Sequence, residues 1–136
     1  MKLRWPIEFD DWIKRTQAKS AEGSAYHRRQ LELLVAALEM LRALPEPPTQ
    51  ESAALKLVAQ SRRHQLWRTS HPYEEGIAFR LICWFPPGSD EVVVALFSGE
   101  KSRIGDVWYD SVAQRADPLI NLWLQRQAQE QERPDD

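Results

Sequence analysis

One cysteine, Cys83, stands in the 136-residue chain, so there is no intrachain disulfide and no cysteine cluster for a structural zinc. No apolar run reaches the roughly 18–20 residues that cross a bilayer as a helix, which excludes a transmembrane helix. The opening stretch MKLRWPIEFDDW turns acidic where a secretory signal needs an apolar segment, so secretion is not expected. The phosphate loop, GxGxxG, GxSxG and HExxH signatures are all missing. His27, His64 and His71 are the only histidines, and their wide separation gives no spaced ligand set for a metal. The expectation is a cytoplasmic chain with no membrane association, no metal and no small-molecule cofactor.

What is present fits one domain. Hydrophobic residues make up 43% and charged residues 28%, enough apolar surface for a single real core. The net charge of −2 is unevenly spread, because the last ten residues, QAQEQERPDD, hold four acids and one base. Without them the chain carries 17 bases against 16 acids, or +1, so only a local basic patch could attract a polyanion. Thirteen of the 18 bases are arginine, suited to planar recognition of phosphate, although a GC-rich genome produces the same bias.

Periodicity orders the elements. Asp10 or Asp11 can cap a helix over 9–20, where Phe9, Trp12, Ile13 and Thr16 fall at helical spacing. Gly23 breaks it, and Ser24 caps a second helix over 25–44 with Tyr26, Leu31, Leu34, Val35, Leu38, Leu41 and Leu44 on one stripe. Pro45, Pro47 and Pro48 end it. Residues 52–59 suit one or two helical turns. Runs at 64–70, 77–85 and 91–98 are rich in apolar, aromatic and β-branched residues and predict antiparallel strands, the last two joined by the Pro86–Asp90 turn. Residues 107–126 return to helical spacing, with Val107, Val112, Ala116, Leu119, Ile120, Trp123 and Leu124 as the stripe and Pro118 as a point of kinking or division. The predicted class is α+β: two N-terminal helices on a small antiparallel sheet of three to four strands, closed by a C-terminal helix. Residues 1–126 form this domain, and 127–136 form an acidic, frayed tail.

The side chains left over for chemistry are cations. Cys83 lies in the most apolar run and reads as an inert buried thiol. The pairs Asp10-Asp11 and Glu74-Glu75 point apart on regular structure. Arg62, Arg63, His64 and Arg68 lie on or before the first predicted strand, Arg80 is embedded in the second, and Lys101 and Arg103 follow the third. Strand alternation sets His64, Leu66 and Arg68 on one face and Gln65, Trp67 and Thr69 on the other. Arginine is rarely buried alone, so Arg80 either pairs with a carboxylate or faces an open surface. A sheet face bearing Arg68 and Arg80, ringed by Lys101 and Arg103, would contact phosphate.

The order of motifs resembles the RelE/ParE superfamily of toxin–antitoxin toxins, its RelE and HigB branches in particular. The motifs are Leu66-Trp67-Arg68, Phe79-Arg80-Leu81-Ile82, Val92-Val93-Val94-Ala95-Leu96-Phe97, the loop Gly99-Glu100-Lys101-Ser102-Arg103, and the closing Asp106-Val107-Trp108-Tyr109. The resemblance runs continuously over 55–116. It implies a RelE-like fold and metal-free cleavage of mRNA, in most branches on the ribosome, with the RNA 2′-OH as nucleophile. By motif it makes Arg68, Arg80, Arg103 and Tyr109 catalytic, with Arg80 holding the scissile phosphate. Arg62, Arg63, His64, Lys101 and Trp108 would contact RNA. Trp108 takes the closing tyrosine's place in strict register and Tyr109 follows one residue later. The implied partners are a cognate antitoxin, mRNA and the ribosome.

Two other readings compete. The ParE branch shares the fold and poisons gyrase without cutting RNA, so the chain could act by binding alone, or be an inactive relative. It could also be an unrelated α+β interaction domain with Arg80 paired internally. Six tryptophans in a chain of this size favour a protein partner under any of the three.

Overall fold

The computed structural model describes residues 1–59, 63–70, 79–100 and 111–132. The elements run β1 (Lys2–Arg4), α1 (Ile7–Ala21), α2 (Ala25–Arg42), β2 (Leu55–Leu57), β3 (Leu66–Thr69), β4 (Phe79–Trp84), β5 (Val92–Glu100) and α3 (Val112–Glu132). The class is α+β, as expected. The sheet has five strands in the order β1-β5-β4-β3-β2 and is mixed, because β1 lies parallel to β5. It therefore exceeds the three to four antiparallel strands predicted.

The α1–α2 break follows from local chemistry. Gly23 takes φ +103°, which a side chain would resist, and the Ser24 hydroxyl accepts the His27 backbone N–H at 3.3 Å to start α2. Neither Asp10 nor Asp11 caps α1: the helix starts at Ile7 behind Pro6, and Asp10 sits inside the first turn. Its carboxylate accepts from the Trp5 indole at 3.2 Å and pairs with Lys14 at 2.9 Å. On α2 the fully buried line is Leu33, Leu34, Ala37 and Leu41, whereas Val35 is 56% exposed. Of the predicted stripe, Leu34 and Leu41 are buried and Leu38 and Leu44 pack against the same core, while Leu33 and Ala37 take the place expected for Val35.

Within residues 52–59, Leu55–Leu57 form a strand, not helical turns. Leu55–Leu57 pair antiparallel with Trp67–Thr69, the Ser52 hydroxyl accepts the Leu55 N–H, and the Glu51 carboxylate accepts the Leu57 N–H. A segment this short cannot repay helix nucleation, while Leu55 gains a fully buried place on the sheet. The β4–β5 connection is the predicted tight turn. The Ser89 N–H bonds to the Pro86 carbonyl at 3.3 Å, with Pro87 and then Gly88 at φ +83° between them, as a type II turn requires.

The sheet separates two cores. On one face Trp67, Phe79, Leu81, Cys83, Val93 and Ala95 pack under α1 and α2. On the other, Leu66, Ile82, Trp84, Val94, Leu96 and Phe97 pack against Val112, Ala116 and Ile120 of α3. Helix α3 spans Pro118 without dividing and continues through residues 127–132, expected as frayed tail, where Gln and Glu favour helix. Leu124, placed on its buried stripe, is 45% exposed. Val107 lies outside the described residues.

Candidate functional site

Strand register decides which cations meet. In β3 and β4, Arg68 stands opposite Ile82, so Arg80, two residues along β4, lies diagonal to it on the face that α3 packs against. Diagonal neighbours of this kind have Cβ atoms about 7–8 Å apart. The alternation predicted for His64, Leu66 and Arg68 against Gln65, Trp67 and Thr69 holds within the strand, since Leu66 belongs to the α3 core and Trp67 to the α1–α2 core, while His64 and Gln65 precede β3.

A β-bulge shapes the surroundings of Arg80. Trp84 pairs with Val94 and Cys83 with Ala95, but Ile82 pairs with Phe97, so Leu96 is the extra residue. Both Leu96 and Phe97 consequently reach the α3 core. Beyond the bulge Gly99 stands opposite Arg80, where an unbroken ladder would have put Ser98. Gly99 brings no side chain to this face, and neither Arg80 nor Gly99 belongs to the core under α3.

Arg80 is half-buried. Its Nη1 donates to the Phe79 carbonyl at 2.9 Å, while its Nε is buried with no hydrogen-bond partner. Among the described residues no carboxylate pairs with it, which answers one of the two alternatives posed by its sequence position. Arg68, also half-buried, places Nη1 3.4 Å from the Ser70 hydroxyl. Two unit positive charges at that Cβ spacing would repel by roughly 0.5–2 kcal/mol for effective dielectric constants of 80 to 20, a cost that a bound phosphate reverses in sign.

A third arginine borders the same face. Arg115, in the first turns of α3, stacks its guanidinium carbon 4.1 Å from the centroid of the Phe97 ring. Burial lowers its pKa from the usual arginine value. Sequence reading missed it, yet a signal existed: Arg115 falls three residues after Val112 and four before Leu119, on the flank of the apolar stripe.

Arg63 and His64 are brought elsewhere. They line a cavity of about 400 Å³ at the opposite end of the strands, with Trp84, Phe85 and prolines 47, 48, 86 and 87. The His64 ring meets Trp84 edge-on at 5.5 Å between centroids, and its Nε2 is buried without a hydrogen-bond partner. At about 3.3 Å per strand residue, His64 stands on the order of 20 Å from the level of Arg80. The expected phosphate contacts thus separate into two groups. Arg62, Lys101, Arg103, Trp108 and Tyr109 lie outside the described residues.

Cys83 is fully buried, and desolvation pushes its thiol up to about 12, as suits an inert core residue. Among the described residues, no three His, Cys, Asp or Glu side chains gather to hold a metal ion, and no helix is long and apolar enough to cross a membrane. No family model, curated protein or solved structure matches the chain.

Proposed function

We propose that the protein is the toxin of a toxin–antitoxin pair, an endoribonuclease that cleaves mRNA on the ribosome without a metal, using the RNA's own 2′-OH. The observation that carries this reading is Arg80: a half-buried guanidinium opposite Gly99 on the sheet, its Nε unsatisfied and no acid beside it among the described residues, with Arg68 diagonal to it. Such a pair is suited to a phosphodiester, whose charge grows as it reaches the transition state. The element order adds support, with two helices before an antiparallel meander and a closing helix, the arrangement the motif resemblance implies.

In this reaction the 2′-oxygen attacks phosphorus and the bond to the 5′-oxygen breaks. The products carry a 2′,3′-cyclic phosphate and a 5′-OH. Arg80 binds the non-bridging oxygens and Arg68 shares the developing charge. Tyr109, with Lys101 and Arg103, is assigned to proton transfer and leaving-group stabilisation on the motif resemblance. The cognate antitoxin would be the protein partner, and exposed Ile7 and Val35 on α1 and α2 are apolar side chains available to it. The site of action is the cytoplasm, where ribosomes translate.

A second reading, phosphate binding without cleavage, is favoured by the placement of His64. The histidine on this face is too far from Arg80 to move a proton at the same phosphate. A cell-free translation reaction separates the two, with the mRNA ends mapped after addition of the purified protein. Cleavage predicts new internal 5′-OH ends, reduced at least ~100-fold by Arg80→Gln. Bound mRNA with no new ends establishes the second reading.

A further inference from the structure

Resting on the RNA reading, we propose that Arg115 and Arg15 form a second phosphate subsite at the outer edge of β5, taking a backbone phosphate that adjoins the one held by Arg80. The edge is left open by the topology. Strand β1 pairs only with Val92–Val94, so beyond Val94 the outer side of β5 has no strand neighbour among the described residues. Helices α1 and α3 stand on either side of this gap and enclose a cavity of about 170 Å³. Arg15 from α1, Arg115 from α3 and Ser98 from β5 line it, with Phe97 and Trp12 as apolar walls.

The charge balance of the cavity calls for an anion. Glu8 is the one acid among the lining residues, and it is committed to Arg126, whose Nη2 lies 3.0 Å from Glu8 Oε1. Neither Arg15 nor Arg115 has a carboxylate partner among the described residues. Arg115 is held in place by its guanidinium carbon over the Phe97 ring, a contact that uses none of its N–H groups as hydrogen-bond donors. Two cations facing one cavity without a counter-charge repel each other unless a ligand supplies one. A forked guanidinium is matched to the paired oxygens of a phosphate.

Position connects the cavity to the proposed scissile phosphate. Phe97 pairs with Ile82, which stands two residues along β4 from Arg80 on the same face. Strand spacing and rise put the two positions about 8 Å apart. RNA entering over Arg68 and Arg80 therefore passes Phe97 and reaches Arg115 and then Arg15 at the edge.

The test uses the full chain and two probes. A single-stranded RNA oligonucleotide carrying 2′-O-methyl groups, which cannot be cleaved by the 2′-oxygen, reports binding by fluorescence anisotropy across a salt series. Inorganic pyrophosphate reports phosphate binding through its effect on the unfolding temperature, and the Arg80→Gln background isolates the edge subsite. Arg15→Gln and Arg115→Gln should each weaken RNA binding and reduce the slope of log K against log salt by about 0.7, the value for one phosphate contact on a single strand. Arg15 and Arg115 are both exposed, so either variant should fold, and Arg15→Gln carries the test if loss of the stack on Phe97 unfolds Arg115→Gln. Pyrophosphate should raise the unfolding temperature of the wild type and of Arg80→Gln, and raise it less in the Arg15 and Arg115 variants. Unchanged slopes in both edge variants, beside a reduced slope in Arg80→Gln, would overturn the subsite and leave the RNA reading standing. Absence of RNA binding by the wild type would overturn the RNA reading. The pyrophosphate measurement then decides the subsite alone, and equal shifts or none in wild type and edge variants would overturn it.

Discussion

If Arg80 is kept for a ligand and not for the fold, replacing it should make the protein more stable. Arg80→Met retains most of the apolar stem and removes the charge. Three terms decide the sign. Removing the buried, unpartnered Nε relieves a desolvation penalty of about 1–3 kcal/mol. Ending the repulsion from Arg68 adds about 0.5 kcal/mol at the dielectric of water, the lower end of its range. Against these, the bond from Nη1 to the Phe79 carbonyl is lost, worth about 1 kcal/mol. The net is a gain on the order of 1 kcal/mol, which for a chain of this length raises the unfolding temperature by about 3–4 °C. Calorimetry of wild type and variant measures it, with RNA binding followed on the same samples. The expected result is higher stability with weaker RNA binding. A loss of 1 kcal/mol or more would refute the reasoning, because Arg80 would then be holding the fold together.

Other outcomes follow from the core and the helix starts. Leu81→Ala, at a position with no exposure, should cost about 2–5 kcal/mol in urea unfolding; a cost below 1 kcal/mol would contradict its place beneath α1 and α2. Ser24→Ala removes the acceptor of the His27 N–H and should cost about 1 kcal/mol, read in the same assay. Because the folded Cys83 thiol titrates near 12 and an unfolded thiol near 9, the unfolded chain releases its proton first as pH rises. Cys83 therefore contributes a fall in stability between pH 9 and 12, at most about 1.4 kcal/mol per pH unit, which Cys83→Ala should lack when unfolding is compared at pH 8 and pH 10.

The elements legible in the sequence were those whose signal is local. Gly23 and Ser24 mark the α1–α2 junction through one glycine conformation and one side-chain hydrogen bond. The β-branched run at Val92–Val94 and the Pro87-Gly88 turn give β4 and β5 in the same way. Strands β1 and β2 were not legible: each is three residues long and is specified by a distant partner, Val92–Val94 for β1 and Trp67–Thr69 for β2. Helical spacing in SAALKLVA concealed β2 further. At the site, period-two alternation was enough to place Arg68 and Arg80 on one face, since both lie in regular ladder. It did not separate His64 from them, because sharing a face says nothing of distance along the strand. Arg115 escaped because its partner Phe97 reaches it only through the bulge at Leu96.

The most direct test of the central claim is inducible expression in a bacterial host, wild type beside Arg80→Ala, with growth followed and mRNA 5′ ends mapped. The expected result is growth arrest with new internal mRNA ends, both lost in the variant. Growth arrest with intact mRNA, or normal growth with soluble, folded wild-type protein, would contradict it.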